Sequence, residues 1–342
     1  MLRAILLTIA VFVLAAPCRA AEPDASSTAD PADAKTAMAA REGLAWLASR
    51  QHEDGSFGTG KMRGNVAVTA LAGVAFLSGG HTPNRGAHGA QVARIVDYLM
   101  SQTEQSGFIV NREALSRGPM YGHGFATMFL AECYGMSRRP ELRTKLAAAV
   151  KLIVDSQNSE GGWRYWPDSP DADISVTICQ VMALRAARNA GIHVPKKTID
   201  RCIAYVKRCQ NPDGGFSYML IPRGESAMPR TAAGVVALYS AGVYEGPEID
   251  RGLDYLMQFL PGSDQARHSG HYFYAQYYAM AAMWQAGGER WKKWRRAACD
   301  ELLKEREENE PYWKSLNTDD YATAMACIVL QMANDSLPIF QR

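Results

Sequence analysis

The chain has 342 residues, of which 47% are hydrophobic and 21% are charged. This composition supports a buried core and excludes a globally disordered chain. With 37 basic and 35 acidic side chains, the formal charge is only +2. A balance this close to neutral provides no basic field for a polyanion, so we expect no nucleic-acid partner.

The first twenty residues have the pattern of a signal peptide. Arg3 precedes an apolar run from Ala4 to Ala16, which is too short to span a bilayer, and we expect cleavage after Ala20. Removal of residues 1–20 leaves 35 basic and 35 acidic side chains. The pattern therefore predicts a neutral, exported protein, periplasmic or extracellular, with no integral membrane span after processing.

One sequence unit recurs along the rest of the chain. An amphipathic helix is followed by glutamine, a polar turn with glycine, and usually an aromatic residue; the glutamines are Gln51, Gln102, Gln157 and Gln210. Two degenerate copies follow, and Trp313 keeps the aromatic place in the last one. After each turn comes a second, more uniformly apolar helix; these helices begin near Asn65, His123, Asp173, Arg230, Tyr272 and Tyr321.

The two kinds of helix predict two concentric rings. Helices with one apolar stripe suit an outer ring, and helices that are apolar nearly all round suit an inner ring packed on both sides. Six such pairs closing on themselves form an all-α (α/α)6 toroid, and no strand pattern competes with this interpretation. We predict a flexible leader over residues 21–35 and one toroid domain over residues 36–342.

The glutamine–glycine–aromatic turns resemble the QW-type repeats of the squalene/hopene cyclases and of the protein prenyltransferase β subunits. The resemblance covers nearly the whole chain after residue 20 and is specific for the fold. It implies a central cavity, with the N-termini of the inner helices on one shared rim. The side chains that it brings to this rim are His123, Asp171, Asp173, Arg230, His268, His271, Tyr272, Asp319, Asp320 and Tyr321.

The stretch from Asp171 to Asp173 is similar to a shortened D-x-D-D motif of the class II terpene cyclases, whose middle aspartic acid protonates an alkene or epoxide. The resemblance implies that Asp173 is the acid and Asp171 its partner, while Ile174 replaces the third carboxylate. His123 and Asp320 are further catalytic candidates on the rim. The alternative for Asp173 is to cap the inner helix, a role that aspartate favours and that does not exclude catalysis.

The stretch from Ser269 to Tyr272 is similar to the D-x-C-Y segment that supplies two zinc ligands in protein prenyltransferases. Ser269 stands at the Asp position and His271 at the Cys position, which leaves the set one ligand short of a catalytic zinc site. We expect no cofactor. The alternative is a zinc ion held by His268, His271 and Asp320, against ordinary roles as rim residues and helix caps.

Aromatic side chains are frequent near the predicted rim. Such rings can stabilise a carbocation or stack on sugars, and the alternative is packing between repeats. Tyr277 and Tyr278 are consecutive, so we expect only one of them to face the cavity. The candidate substrate-cavity residues are Trp163, Tyr165, Phe216, Arg230, Tyr272 and Tyr321.

Three functions stay open at this point. The first is a terpenoid-cyclase-like enzyme that uses Asp173 as general acid, or a protein that binds an apolar or isoprenoid small molecule. The second is an extracellular carbohydrate-active enzyme, which needs paired carboxylates such as Asp173 with Asp319 or Asp320. The third is a scaffold that kept the toroid and lost the chemistry. The repeats make no prediction about oligomeric state.

Overall fold

The computed structural model describes residues 31–114, 116, 118–263, 271–306 and 310–341. Within these ranges the chain forms twelve α-helices and no β-strand. The outer helices are α1 Pro31–Arg50, α3 Gly89–Ser101, α5 Leu142–Asp155, α7 Lys196–Arg208, α9 Pro247–Leu256 and α11 Gly288–Glu305. The inner helices are α2 Val66–Ser78, α4 Pro119–Tyr134, α6 Ile174–Asn189, α8 Met228–Ala241, α10 Tyr272–Ala286 and α12 Asp319–Gln331.

The helices form the predicted double ring. Each inner helix packs on the next inner helix in chain order, and α12 packs back on both α1 and α2. The inner helices are buried nearly all round, whereas the outer helices bury one stripe, as in α7 with Thr198, Cys202, Tyr205 and Val206. The all-α (α/α)6 toroid is therefore confirmed. In the described part of the chain, no helix is long and apolar enough to cross a membrane.

The first helix begins earlier than the sequence predicts. Pro31 opens α1, so residues 31–35, which we expected in a flexible leader, form its first turns. Proline suits the first helical position because it needs no backbone donor there, and Asp33 in the first turn pairs with Arg295 of α11. The predicted signal peptide and residues 21–30 lie outside the described residues.

Three of the four repeat glutamines tie two successive helix pairs together through their side-chain amides. Gln157 Nε2 donates to the Gly161 carbonyl in its own turn and to the Thr198 carbonyl in the next outer helix, both at 2.8 Å. Gln51 and Gln210 make the same pair of bonds in their own repeats. The glutamine thus links the end of one outer helix to the start of the next.

The turn glycines lie directly against the next outer helix. Gly55, Gly161 and Gly214 have φ values of +90°, +98° and +89°. A Cβ atom at these positions would lie 2.4, 2.5 and 2.6 Å from a backbone carbonyl oxygen of α3, α7 and α9, respectively. Both the left-handed backbone and the contact require glycine, which explains its place in the repeat.

A third recurring bond joins the turn to the inner helix. The backbone N–H at the end of the turn donates to a threonine hydroxyl four residues or so inside the helix; the pairs are Phe57–Thr69, Trp163–Thr177, Phe216–Thr231 and Trp313–Thr323, at 3.0 to 3.1 Å. His123 has this role in the second repeat, because its Nδ1 accepts from Ile109 N–H at 3.1 Å.

His123 is a structural residue and not the catalytic one we expected. Its second ring nitrogen, Nε2, donates to the Ala149 carbonyl of α5 at 3.2 Å, and the side chain is fully buried. Burial lowers the pKa of His123 to about 4, so the ring is neutral near pH 7. With both nitrogens bound to backbone, neither is free to exchange a proton with a substrate.

Asp320 holds the seam where the sixth repeat meets the first. Its Oδ2 accepts from Gly58 N–H at 2.8 Å, and its Oδ1 lies 3.6 Å from Arg50 Nε. The hydroxyls of Thr59 and Thr318 lie 3.4 Å apart at the same seam. Asp320 therefore connects α12 to the first turn, which replaces the catalytic role we expected for it.

We predict that Gln157→Ala lowers the free energy of unfolding by about 2 kcal/mol, because it removes two bonds to partly buried carbonyls. The matched control is Gln102→Ala. Gln102 has the same place in the second repeat, but within the described residues its amide donates only to Ser101 Oγ, at 3.2 Å. Urea unfolding followed by circular dichroism measures both changes. Equal losses in the two variants would contradict the role of the glutamine bridge.

Candidate functional site

Asp173 caps α6 with one of its two carboxylate oxygens. Oδ1 accepts from Val176 N–H at 2.8 Å and from Ser175 Oγ at 2.5 Å. The Asp173 backbone N–H donates to the Trp163 carbonyl at 3.0 Å, which fixes the residue at the end of the third turn. The helix-cap alternative is thus confirmed, and it occupies only half of the carboxyl group.

The other oxygen of Asp173 is buried without a partner. The residue exposes none of its surface, and Oδ2 has no hydrogen-bond partner among the described residues. Arg164 Nη1 lies 3.9 Å from Oδ2, beyond hydrogen-bond distance. Burial raises the pKa of the Asp173 carboxyl, and the bonds from Ser175 and Val176, the Arg164 charge and the Tyr218 hydroxyl oppose that rise without cancelling it.

Arg164 covers this carboxyl and links it to Asp171. Its guanidinium carbon lies 4.9 Å from the ring centre of Tyr165 and 5.6 Å from that of Tyr218, as in cation–π contacts. Its Nε lies 3.5 Å from Asp171 Oδ2, and the Asp171 side chain is 42% exposed. Asp171 therefore acts on Asp173 through Arg164 and does not lie beside it in the interior.

Three tyrosines surround the aspartate. Tyr121 of α4 is hydrogen-bonded to Ser175 Oγ at 2.5 Å, and the hydroxyls of Tyr165 and Tyr218 lie 2.6 Å apart. Burial raises the pKa of Tyr121 and of Tyr218, and the nearby Asp173 charge raises both further. The phenols of Tyr121 and Tyr218 therefore stay neutral at all ordinary pH values. We call Asp173, Ser175, Arg164 and these three tyrosines the aspartate–tyrosine cluster.

A column of aromatic side chains continues from this cluster along the ring axis. Tyr274 packs against Tyr278 with ring centres 4.7 Å apart, and burial raises its pKa. Tyr278 OH lies 3.3 Å from Cys179 Sγ of α6. Tyr277 packs edge-on against Phe125 of α4, with ring centres 6.4 Å apart.

Both consecutive tyrosines of α10 point into the ring. Tyr277 reaches α4 and Tyr278 reaches α6, neither of which is a neighbour of α10 in the ring. The expectation that only one would face the interior is wrong, because the inner surface of α10 is wide enough for two adjacent positions. The hydroxyls of Tyr274 and Tyr277 have no hydrogen-bond partner among the described residues.

Several predicted cavity residues lie elsewhere. Trp163 is buried in repeat packing and donates from Nε1 to the Ile153 carbonyl at 2.7 Å, and Phe216 is buried against Gly234 of α8. Tyr272 points to the outer ring, where its hydroxyl donates to Glu301 at 2.9 Å. Their aromatic character serves contacts between repeats, which a sequence pattern does not separate from a cavity lining.

The remaining candidates are Arg230, Tyr321 and Tyr165. Arg230 stands in the first turn of α8, and its Nε is buried without a hydrogen-bond partner among the described residues. Tyr321 stands in the first turn of α12 and is partly buried. Tyr165 belongs to the aspartate–tyrosine cluster.

The candidate zinc ligands are not brought together where the structure describes them. His271 precedes α10 with an exposed side chain, and Asp320 is engaged at the seam. His268 and Ser269 lie outside the described residues. Within the described ranges, no group of three or more His, Cys, Asp or Glu side chains is placed to hold a metal ion. A zinc site that includes His268 stays a prediction.

Two residues of the cluster were missed at the level of sequence. Ser175 stands in the first turn of α6, two residues after Asp173, where a hydroxyl can bond the capping carboxylate. Arg164 directly precedes Tyr165 and is one of many arginines, so nothing in the pattern distinguishes it. Its role depends on the third turn folding back over α6, which only the structure shows.

The chain matches known proteins over most of its length. The family model described as "Prenyltransferase alpha-alpha toroid domain" matches residues 32–271. Drimenyl diphosphate synthase of Streptomyces showdoensis is 26% identical over 196 residues, which are 57% of this chain and 34% of that protein. The chain thus spans about a third of the length of this curated relative.

Solved structures share the fold at low identity. The type II terpene cyclase MstE from Scytonema has a TM-score of 0.62 at 16% identity, covering 89% of this chain and 100% of that one. An inactive variant of the α-1,6-mannanase GH76A of Salegentibacter, in complex with α-1,6-mannotetrose, has a TM-score of 0.64 at 8% identity, covering 86% and 98%. Together with the family match and the ring geometry, these findings show that the chain belongs to the prenyltransferase α/α-toroid family.

Proposed function

We propose that this protein is an acid-initiated enzyme that protonates an alkene or epoxide of an apolar, isoprenoid-type substrate, with Asp173 as the proton donor. One observation carries the proposal: Asp173 Oδ2 is buried among tyrosines without a hydrogen-bond partner in the described part of the chain, while Oδ1 caps α6. The similarity to a drimenyl diphosphate synthase and to a type II terpene cyclase supports the class of chemistry.

The two oxygens of Asp173 have different roles in this general-acid step. Oδ1 accepts two hydrogen bonds, so the proton resides on Oδ2, and the raised pKa of the carboxyl favours its presence. The O–H bond breaks as the substrate π electrons form a C–H bond, which leaves a carbocation and the Asp173 carboxylate. The helix N-terminus, Ser175 and Arg164 then stabilise that carboxylate.

The surrounding tyrosines suit the positive charge formed in this step. Aromatic faces attract cations, and the phenols of Tyr121 and Tyr218 remain neutral beside Asp173. Because Oδ2 is fully enclosed, a substrate reaches it only after the Arg164 side chain moves. Arg164 is held by the Asp171 carboxylate, Met219 Sδ and the two tyrosine rings, all of them outside the helices, so this movement breaks contacts with turn residues.

A second candidate is a binding protein that holds an apolar ligand without converting it. Ile174 favours this reading, since its side chain is buried where the resemblance implies a third carboxylate. Glycan cleavage has weaker support. It needs a second free carboxylate, but Asp319 accepts from Ser315 N–H at 3.1 Å, and Asp320 lies at the seam with Oδ2 on Gly58 N–H and Oδ1 3.6 Å from Arg50 Nε.

We also propose that residues 1–20 direct export, on the pattern of Arg3, the apolar run and Ala20. Fractionation of cells that express the chain tests this. The processed protein is expected outside the cytoplasm, with its N-terminus at residue 21, and a full-length chain retained inside the cell would contradict the proposal.

We predict that Asp173→Asn lowers the rate of product formation by at least about 10²-fold, the usual contribution of a general acid. Asparagine caps helices as well as aspartate, so α6 is expected to keep its cap. The purified protein is incubated with squalene, 2,3-oxidosqualene and geranylgeraniol, and products are identified by gas chromatography with mass spectrometry.

The matched control for this variant is Asp319→Asn. Asp319 stands four residues before Thr323, as Asp173 stands four residues before Thr177, and it lies in the first turn of α12. We expect this control to retain activity. Saturable binding of these compounds by the wild type without turnover would favour the binding candidate, and equal loss of activity in both variants would contradict the role of Asp173.

We predict a pH-dependent difference in stability between the wild type and Asp173→Asn. Burial raises the folded-state pKa of Asp173, so the wild type binds more protons folded than unfolded between the two pKa values. Its relative stability is therefore fully present below the ordinary pKa of 3.8 and falls as pH rises through the folded pKa. Urea unfolding of both proteins from pH 3.5 to 8 measures this, and a difference independent of pH would contradict the buried, titrating carboxyl.

A further inference from the structure

The end of the inner ring opposite Asp173 is closed by residues 337–341, which we call the closing segment. These residues follow α12 and lie beyond the range that matches the family model. Leu337, Ile339 and Phe340 are buried, whereas Pro338 and Gln341 are exposed. The segment therefore presents its apolar side chains to the ring and its other side chains to solvent.

Phe340 lies on the ring axis at the end of the aromatic column. Its ring centre is 6.1 Å from that of Tyr277, which in turn contacts Phe125 of α4. The Phe340 carbonyl accepts from Trp284 Nε1 at 2.8 Å and from Gln285 Nε2 at 3.0 Å, both on α10. Gln285 Nε2 also donates to the Gln341 carbonyl at 3.1 Å.

The wall around the closing segment is that of a small-molecule pocket. It comes from the C-terminal ends of three inner helices and includes Met182, Val236, Ala281 and Trp284 as apolar surface, with Arg185 and Gln285 as polar groups. With the closing segment in place, about 20 Å³ of free space remains, room for about one water molecule. Apolar walls with few polar groups are typical of ligand sites.

We propose that this end of the inner ring is a second binding site, for an apolar molecule that carries a carbonyl, carboxylate or similar acceptor, and that the closing segment occupies it in the absence of that ligand. Ile339 and Phe340 stand where the apolar body of the ligand binds. The amide of Gln285, which now donates to the Phe340 and Gln341 carbonyls, supplies the polar recognition, and the guanidinium of Arg185 lies in the same wall.

A buried carboxyl under the closing segment gives this exchange a pH dependence. Glu132 of α4 is 8% exposed, its carboxyl lies near the Ile339 backbone N–H, and its Oε2 has no hydrogen-bond partner among the described residues. Burial raises the pKa of Glu132 from 4.5 to about 7. When the segment leaves, Glu132 becomes solvated and its pKa returns towards the ordinary value.

The other ionisable groups at this end do not titrate near neutral pH. Cys133 lies beside Glu132, Tyr277 contacts Phe340 and Tyr239 lines the wall, and burial raises the pKa of each of the three. The bond to Asp97 raises the pKa of Arg139, which therefore stays positively charged. Because the closed form favours neutral Glu132, this stabilisation of the closed form is fully present below pH 4.5 and is lost as pH rises through about 7. The two pKa values imply that opening increases about tenfold between pH 6 and pH 8.

The test measures binding of 1-anilinonaphthalene-8-sulfonate, an apolar probe with an anionic acceptor, to the purified protein at pH 6 and pH 8. Phe340→Ala removes the side chain on the axis and is expected to tighten binding at least tenfold. The matched control is Gln341→Ala, whose side chain is exposed in the same segment, and it is expected to bind like the wild type. Hydrogen exchange of the bound complex is expected to show protection at residues 281–285.

Glu132→Gln provides an independent test that leaves the closing segment unchanged. The wild type is expected to bind the probe about tenfold more tightly at pH 8 than at pH 6, and Glu132→Gln is expected to lose this difference. Equal binding by Phe340→Ala and the wild type would overturn the proposal. So would a loss of the near-ultraviolet circular dichroism signal in Phe340→Ala, since it would show that the segment belongs to the core, or protection confined to residues around Asp173.

Discussion

The double ring depends on the contact between each turn glycine and a backbone carbonyl of the next outer helix. At Gly55, Gly161 and Gly214 the two backbones approach so closely that no Cβ atom fits between them. This contact sets the distance from one helix pair to the next, and the glutamine amide fixes the angle by bonding both sides of it. Errors in distance or angle would add up around the ring, so the turns that make these contacts must keep the same geometry.

The candidate site uses the same framework and departs from it at one turn. In the third repeat the inner helix is capped by an aspartate whose second oxygen faces the interior, and Arg164 folds over it from the turn. The fold needs only a cap at this place, as Asn65 provides for α2. The cap does not require the second oxygen of Asp173 to be buried, and its desolvation makes ionisation of the carboxyl unfavourable. Asp320 has a similar pattern at the seam, where Oδ2 is bound to Gly58 N–H and Oδ1 is buried without a hydrogen-bond partner among the described residues. The surrounding tyrosines and Arg164 are therefore what distinguish the Asp173 site.

The fold could be predicted from the sequence because of the repeat. Two features indicate a ring: the spacing of Gln51, Gln157 and Gln210, and the contrast between helices with one apolar stripe and helices that are apolar all round. The cap at Asp173 could also be predicted, because capping depends only on the residues next to the start of the helix. The roles of His123, Asp320 and Tyr272 were not, since the rim that collects their sequence positions also contains the contacts between repeats. Which side of a helix end faces the cavity depends on the rotation of that helix in the ring, and a residue's place near an N-terminus does not determine it.

The seam at Asp320 has a consequence for how this architecture can change over evolution. An open array of helix pairs can gain or lose a pair at its ends, because each pair contacts only its neighbours. Here the last pair must meet the first through Gly58, Arg50 and the Thr59–Thr318 contact. One pair more or fewer would leave those partners out of reach of each other. Variation in length is therefore confined to the loops between helices, and the number of repeats can change only together with the curvature of every turn.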